Sequence, residues 1–244
     1  VIHVQNRIDP NDDIAVIETE LALADLETAK KRLEQIAKQI RAGADKKLLQ
    51  QKEVLEALVA DLEQGTAVRD HARFAEFKEL FNDLQLLTAK PQLIVVNTDD
   101  GGPGALTLNT KSPAIYISAK TEAELADLSP EDAAAYLKEA GVEQSGLDKL
   151  IVAGYRLLEL ITFLTSGEPE TRAWTIRRGM RAPQAAGVIH TDFEKGFIRA
   201  DVVRWEDFVE HGGWSGCKER GLVRLEGKEY EVRDGDVCYF HVTA

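Results

Sequence analysis

Leu93-Ile94-Val95-Val96-Asn97-Thr98-Asp99-Asp100 is a short apolar run that follows Pro91 and closes on Asn and carboxylates. Its four apolar residues show no polar alternation, and three of them are β-branched, which predicts a strand buried on both faces of a parallel sheet. Ala114-Ile115-Tyr116-Ile117-Ser118 repeats the pattern. Helices are predicted to follow. Ser129-Pro130 caps one that runs to about Ala140, and Ser145 with Asp148 opens another through Leu160. Strand, strand, helix with apolar strand interiors reads as the end of an α/β sheet. Residues 91–160 are too few to make a whole one.

Open α/β sheets bind ligands beyond the carboxyl ends of their strands. Asn97-Thr98-Asp99-Asp100 ends the first predicted strand, and Ser118-Ala119-Lys120 ends the second. An Asn amide both donates to and accepts from a purine edge, and a carboxylate three residues later accepts from ring N–H and amino groups. Backbone N–H groups of 118–120 complete a base pocket in this reading. Ordinary turn chemistry competes with it, since Asx-rich loops after strands are common.

Upstream, Asp9-Pro10 opens a long helix that no Gly or Pro interrupts until about Arg41. Ala22, Ala29 and Ile36, with Leu26, Leu33 and Ile40, recur every seven residues. After the turn Arg41-Ala42-Gly43-Ala44-Asp45, Leu48, Leu55 and Leu62, with Leu58 between, form a second seam ending at Gly65. Two long helices with so short a link predict an antiparallel coiled-coil hairpin. A shorter helix is expected near Phe74 to Leu86. Downstream, short β-like runs at Arg172 to Ile176, Gly196 to Val203 and Asp236 to Val242 alternate with short helices and Gly-rich turns. They predict a compact α+β module of about 80 residues.

The chain has 244 residues, is 44% apolar and carries a net charge of −12. No stretch approaches the roughly eighteen apolar residues of a membrane span. Residues 91–159 hold 5 basic and 11 acidic groups, whereas 160–244 are nearly balanced with 12 and 14. An acidic surface disfavours non-specific nucleic-acid binding by the whole chain. A local basic face stays open: Arg172, Trp174, Arg177, Arg178, Lys195 and Arg199 interleave cations with an aromatic, as RNA-facing sheets do. A solvated strand face is the competing reading. Cys217 and Cys238 have neither a CxxC spacing nor a His partner and are expected as reduced thiols.

No catalytic residue is assigned. His190 and Asp192 fall on one side of an expected extended segment, but no nucleophile stands beside them, and a turn-stabilising hydrogen bond is expected instead. The five histidines lack metal-ligand spacing, so no metal site is expected. The sequence contains no GxxxxGK[ST] loop to cradle phosphates. Gly101-Gly102-Pro103-Gly104 has no Lys-Ser/Thr after it and reads as a loop. Val1 is no initiator and Val1-Ile2-His3-Val4 resembles a strand entered midway, so further sequence is expected upstream.

Several runs resemble the Obg-like ATPase (YchF) family. They are Leu21 to Thr28 (LALADLET), Leu86 to Pro91 (LLTAKP), Glu143 to Asp148, Arg172 to Ile176, Ala182 to Ala200, and Leu225-Glu226-Gly227-Lys228 with Asp234 to Val237. They span nearly the whole chain in family order, and 182–200 is the most specific. The resemblance implies a P-loop G domain interrupted by a coiled-coil hairpin and closed by a ubiquitin-like TGS module of β-grasp fold. In this chain that divides into 1–9, a remnant G-domain strand; 10–90, the helical insertion; 91–160, the C-terminal half of the G domain; and 161–244, the TGS domain. It further implies a cytoplasmic protein, expected as a monomer, that binds ATP (or GTP) with Mg²⁺, hydrolyses it in the intact form and associates with ribosomes or ribosomal RNA. Base contacts fall to Asn97, Thr98, Asp100, Ser118, Ala119 and Lys120. The phosphate and Mg²⁺ contacts are expected in the upstream segment, so these 244 residues alone are expected to be inactive. A non-enzymatic ribosome- or RNA-binding module that uses nucleotide only as a switch is the alternative. Two features depart from the family's pattern: its N-x-x-E motif is replaced by Asn97 with Asp100, and the stretch from Asn97 to Ser118 is shorter than usual.

Overall fold

The computed structural model describes residues 8–99, 106–167 and 170–243. The expected strand at Val1 to Val4, Asp100 and the loop Gly101 to Gly104 lie outside them. The chain forms two compact units, Val1–Leu150 and Ile151–Ala244.

The first unit opens with α1 (Pro10–Ala42) and α2 (Lys46–Glu63). The Asp9 carboxylate accepts from the N–H groups of Asn11 and Asp12, and Pro10 takes the first turn, where no N–H is needed. Asp45 does the same for α2 through Leu48 N–H at 2.7 Å. The two helices pack along the seam expected from the heptads. Small Ala22 and Ala29 with Ile36 on α1 meet Val54, Leu55, Leu58 and Leu62 on α2, all buried. Alanines on one helix let large side chains of the other fill the interface, and each fully buried Leu contributes roughly 2 kcal/mol. Gly65, at φ +77°, turns the chain out of α2 in a conformation that a side chain disfavours.

Beyond the hairpin, α3 (Phe74–Leu80) is shorter than expected: a 3₁₀ turn follows at Asn82–Leu84, and Gln85 adopts φ +49°. Phe77 and Phe81, stacked with centroids 5.4 Å apart, seal this end of the hairpin core. Two parallel strands follow, β1 (Ile94–Asn97) and β2 (Ala114–Ile117), in register from Ile94↔Ala114 to Asn97↔Ile117. Burial on both faces is not observed: Val96 is buried, but Val95 is 44% exposed. With only two described strands paired, few side chains reach that face. Three helices complete the run: α4 (Ala119–Ala126), α5 (Pro130–Glu139, capped by Ser129) and α6 (Gly146–Leu157). Ser145 Oγ accepts from Asp148 N–H, as the sequence implies. α6 stops short of Leu160, because Glu159 turns to φ +55° and Leu160 already begins a strand.

The second unit is built on β3 (Leu160–Ser166), β4 (Thr171–Arg177), α7 (Ala182–Ile189), α8 (Thr191–Lys195), β5 (Phe197–Arg204), α9 (Trp205–Glu210), α10 (Trp214–Glu219), β6 (Arg224–Glu226) and β7 (Asp236–Val242). Its sheet runs β4-β3-β7-β5-β6, with the β3–β7 pair parallel and the other pairs antiparallel. β7, last in the chain, thus lies at the centre. Ala182, Ala185 and Ala186 are fully buried, so α7 lies close against Ile161, Phe163, Ala200 and Val202. The segment around His190 is not one extended run: Val188 and Ile189 end α7, His190 alone is extended between two helices, and its Nδ1 accepts from Asp192 N–H as the cap of α8. Cys217 and Cys238 are free and buried.

Candidate functional site

Because β1 and β2 are parallel and adjacent, both end on the same edge. Thr98 N–H donates to Ile117 O at 2.8 Å and carries the ladder one residue beyond the strands. The Thr98 hydroxyl turns to the same carbonyl. Asn97 reaches across to the next loop, where its Oδ1 accepts from Ala119 N–H at 3.0 Å. Since Ala119 offers a donor, the oxygen must face it and the Asn97 amide nitrogen faces away. Among the described residues that NH₂ group has no partner, so it presents two donors at the strand edge.

Ser118 caps α4, its Oγ accepting from Thr121 N–H. Lys120 is exposed on the first turn of α4, 3.9 Å from Glu124. The loop is braced from behind: the Glu122 carboxylate accepts from Gly146 N–H at 2.6 Å and Leu147 N–H at 3.1 Å, which ties α4 to the start of α6. Asn97, Thr98, Ser118, Ala119 and Lys120 therefore gather at one edge, whereas Asp100 is outside the described residues. Ser118 and the Ala119 N–H are engaged in shaping that edge. The arrangement offers an acceptor-bearing heterocycle a fixed amide donor. Among the described residues no three of His, Cys, Asp or Glu come together to hold a metal.

The six residues of the expected basic face do not share one surface. Arg172 stacks its guanidinium 4.3 Å over the Trp174 ring, and Trp174 Nε1 donates to Thr165 Oγ1. Strand alternation puts both on the side of buried Ile176 and Phe163. Arg177 therefore points to the opposite side. So does Arg199, which pairs with His241 next to core-facing Ala200. Lys195 sits in α8, and Arg178 lies beyond β4 with its N–H on Glu159 O. Strand alternation, visible in the sequence, separates Arg172 and Trp174 from Arg177.

One buried group was not singled out in the sequence. Asp25, in the LALADLET run, is 2% exposed and accepts from Leu87 N–H, Thr88 N–H and Thr88 Oγ1, each at 2.7 Å. Thr88 Oγ1 in turn accepts from Val68 N–H, and Arg69 donates to Thr88 O and Gln92 Oε1. This network fixes the LLTAKP segment, which leads directly into β1. The readable sign was a carboxylate on the apolar side of α1, between Ala22 and Ala29.

This combination of helical hairpin, parallel strand pair and five-stranded mixed sheet occurs as a set in known proteins. The ribosome-binding ATPase YchF of Bacillus subtilis is 42% identical over 252 residues, covering 98% of this chain and 69% of that protein. The chain belongs to the YchF family. The ribosome-binding ATPase YchF of Escherichia coli O157:H7 is likewise 42% identical, over 98% of this chain and 68% of its own length. Obg-like ATPase 1 of Oryza sativa subsp. japonica is 37% identical over 98% of this chain and 64% of its own. The solved structure of the Schizosaccharomyces pombe YchF GTPase superposes with a TM-score of 0.82 at 32% identity, covering 99% of this chain and 68% of that one. The C-terminal YchF-GTPase family model, described as a protein of unknown function (DUF933), matches residues 160–243, which takes in every strand of the second unit's sheet. Among the described residues no helix of this YchF chain is long and apolar enough to cross a membrane.

Proposed function

We propose that the shared edge of β1 and β2 holds the base of a nucleotide in a cytoplasmic, ribosome-associated ATPase. The observation that supports it most is the Asn97 Oδ1 to Ala119 N–H bond, which locks two neighbouring strand ends together and leaves the Asn97 NH₂ to donate. A purine presents acceptors at its ring nitrogens, and an amide held in one orientation selects for them. Asp100, three residues on in the sequence, supplies in this reading a carboxylate that accepts from base N–H groups. Ser118, Ala119 and Lys120, on the neighbouring loop, complete the base pocket in this reading. ATP is favoured, with GTP as the competitor, because the B. subtilis and E. coli relatives are named ATPases. Mg²⁺ bound with the triphosphate supplies charge neutralisation for attack of water on the γ-phosphate. No phosphate-cradling loop occurs in these 244 residues, so by themselves they are expected to show no turnover.

In this reading residues 10–90 are a coiled-coil insertion, 91–160 part of the G domain, and 161–244 a TGS module. The strand order β4-β3-β7-β5-β6, with α7 packed across the sheet, supports a β-grasp assignment for that module. The B. subtilis and E. coli relatives are named ribosome-binding, which supports the ribosome as partner.

The test is ATP and GTP affinity in a form that includes the phosphate-binding loop, with Asn97→Ala against the parent. Loss of one charge-neutral donor pair and of the loop tie is expected to weaken both nucleotides by about tenfold, on the order of 1.4 kcal/mol. Unchanged affinity would remove the base site from this edge. The alternative reading, a binding module with nucleotide as a switch, predicts that the 244 residues alone co-sediment with ribosomes without any ATP hydrolysis by the longer form.

A further inference from the structure

The cations of the helical hairpin fall into two sets. On the stem, Lys30 pairs with Glu63, Lys31 with Glu27, Lys52 with Glu56, and Arg32 with Asp83. At the tip, Lys38, Arg41, Lys46 and Lys47 are all exposed, and among the described residues none has an ion pair or a side-chain hydrogen bond. Glu34 lies one helical turn from Lys38 without pairing with it. The only carboxylate of the tip, Asp45, is engaged in capping α2.

This placement runs against local helix physics. Lys46 and Lys47 open α2, whose first turn holds no acidic residue, so two positive charges face the positive end of the helix dipole. Arg41 stands across a three-residue turn from them, and Lys38 neighbours it on α1. Four like charges crowd the end of a rod in a chain whose net charge is −12. α2 has 18 residues, so its rise holds the tip about 27 Å from the other end of α2. That exceeds the Debye length of about 10 Å at 0.1 M salt, so the far end of the stem does not cancel the tip's field.

We propose that Lys38, Arg41, Lys46 and Lys47 form a contact surface for the phosphate backbone of folded RNA, reached by the tip of the hairpin. It rests on the ribosome-directed reading above and assigns part of that contact to named residues. Exposed ammonium and guanidinium groups without ion pairs, at the end of a long helical hairpin, suit phosphates of irregular spacing, and they carry no base-reading geometry.

The test compares the 244-residue chain with two variants matched in charge: Arg41→Gln, Lys46→Gln, Lys47→Gln at the tip, and Lys30→Gln, Lys31→Gln, Lys52→Gln on the stem. Each is assayed against a labelled 20-base-pair duplex RNA and by co-sedimentation with ribosomes over a salt series, with circular dichroism to show that all three fold. The tip variant is expected to lose about tenfold in affinity for both and about 2 in the slope of log K against log salt, while the stem variant binds like the parent. Equal binding by tip variant and parent, or equal weakening by both variants, overturns the proposal. Tip-dependent ribosome binding without tip-dependent RNA binding overturns it in favour of a ribosomal protein contact. If RNA binding depends on the tip but ribosomes do not sediment the chain, the tip assignment stands and the ribosome-directed reading fails. Binding to neither overturns both.

Discussion

Asp25 places a carboxylate inside a hairpin core and gives it three donors, two of them from Thr88. A buried acceptor with several good hydrogen bonds stabilises, but truncating it strands its donors. Asp25→Ala is expected to cost about 3 kcal/mol in urea unfolding, and Asp25→Asn to cost much of the same because its NH₂ must face a donor. A loss below about 0.5 kcal/mol for Asp25→Ala would mean that water reaches Thr88. In the second unit, Tyr230 donates to Asp236, whose carboxylate is fully buried beside Arg224. Burial, then the bond to Asp236, pushes the Tyr230 phenol up to about 12 from its ordinary value near 10. The folded state thus holds that proton more tightly than the unfolded chain. Stability contributed by Tyr230 is complete below pH 10 and falls as pH rises through 12. Tyr230→Phe should flatten that alkaline limb in a series of melts from pH 9 to about 12. At this scale the sequence revealed the strand-end residues but not their partners. Asn97 was readable as the end of a strand, whereas its bond to Ala119, 22 residues away, depends on the register of β1 against β2.

Elements with a strong period were the most legible. Heptads fixed α1 and α2 to within a few residues, and Asp9-Pro10 and Ser129-Pro130 marked helix starts because a cap and a proline act locally. β3 was hidden because apolar residues continue on both sides of Glu159, from Leu157 and Leu158 into Leu160 and Ile161, with no Gly or Pro at the junction. The break is Glu159, at φ +55°, which nothing in its side chain announces. β6 has only three residues and pairs on one side alone. The tie between α4 and α6 makes a prediction of its own. A Cβ on Gly146 would sit 2.8 Å from Ile117 Cγ2 and 2.8 Å from Glu122 Oε1. Gly146→Ala should displace the start of α6, loosen the 118–120 loop and lower stability by about 1–3 kcal/mol, seen as an earlier thermal transition. A melt identical to the parent's would show that α6 shifts freely, and the brace would then have no part in holding the site.

The molecule combines a unit whose polar work is done at strand ends and helix tips with a unit built around a tightly packed mixed sheet. Each has its own core: Val54, Leu55 and Leu58 in the first, Phe163, Val202 and Cys238 in the second. Burial raises the thiols of both Cys217 and Cys238, so the native protein should resist thiol reagents that modify both residues once it is unfolded. Composition foresaw an acidic protein. The opposite sides of Arg172 with Trp174 and of Arg177 follow from alternation along one strand, whereas the side of Arg199 depends on pairing β5 with β7, far apart in the chain. The base site is tested most directly by photolabelling with 8-azido-ATP in a form that includes the phosphate-binding loop, followed by mapping of the modified peptides. Label in residues 97–100 and 118–120, lost in Asn97→Ala, is the expected result. Efficient, ATP-competable labelling confined to other segments would contradict base recognition at the ends of β1 and β2.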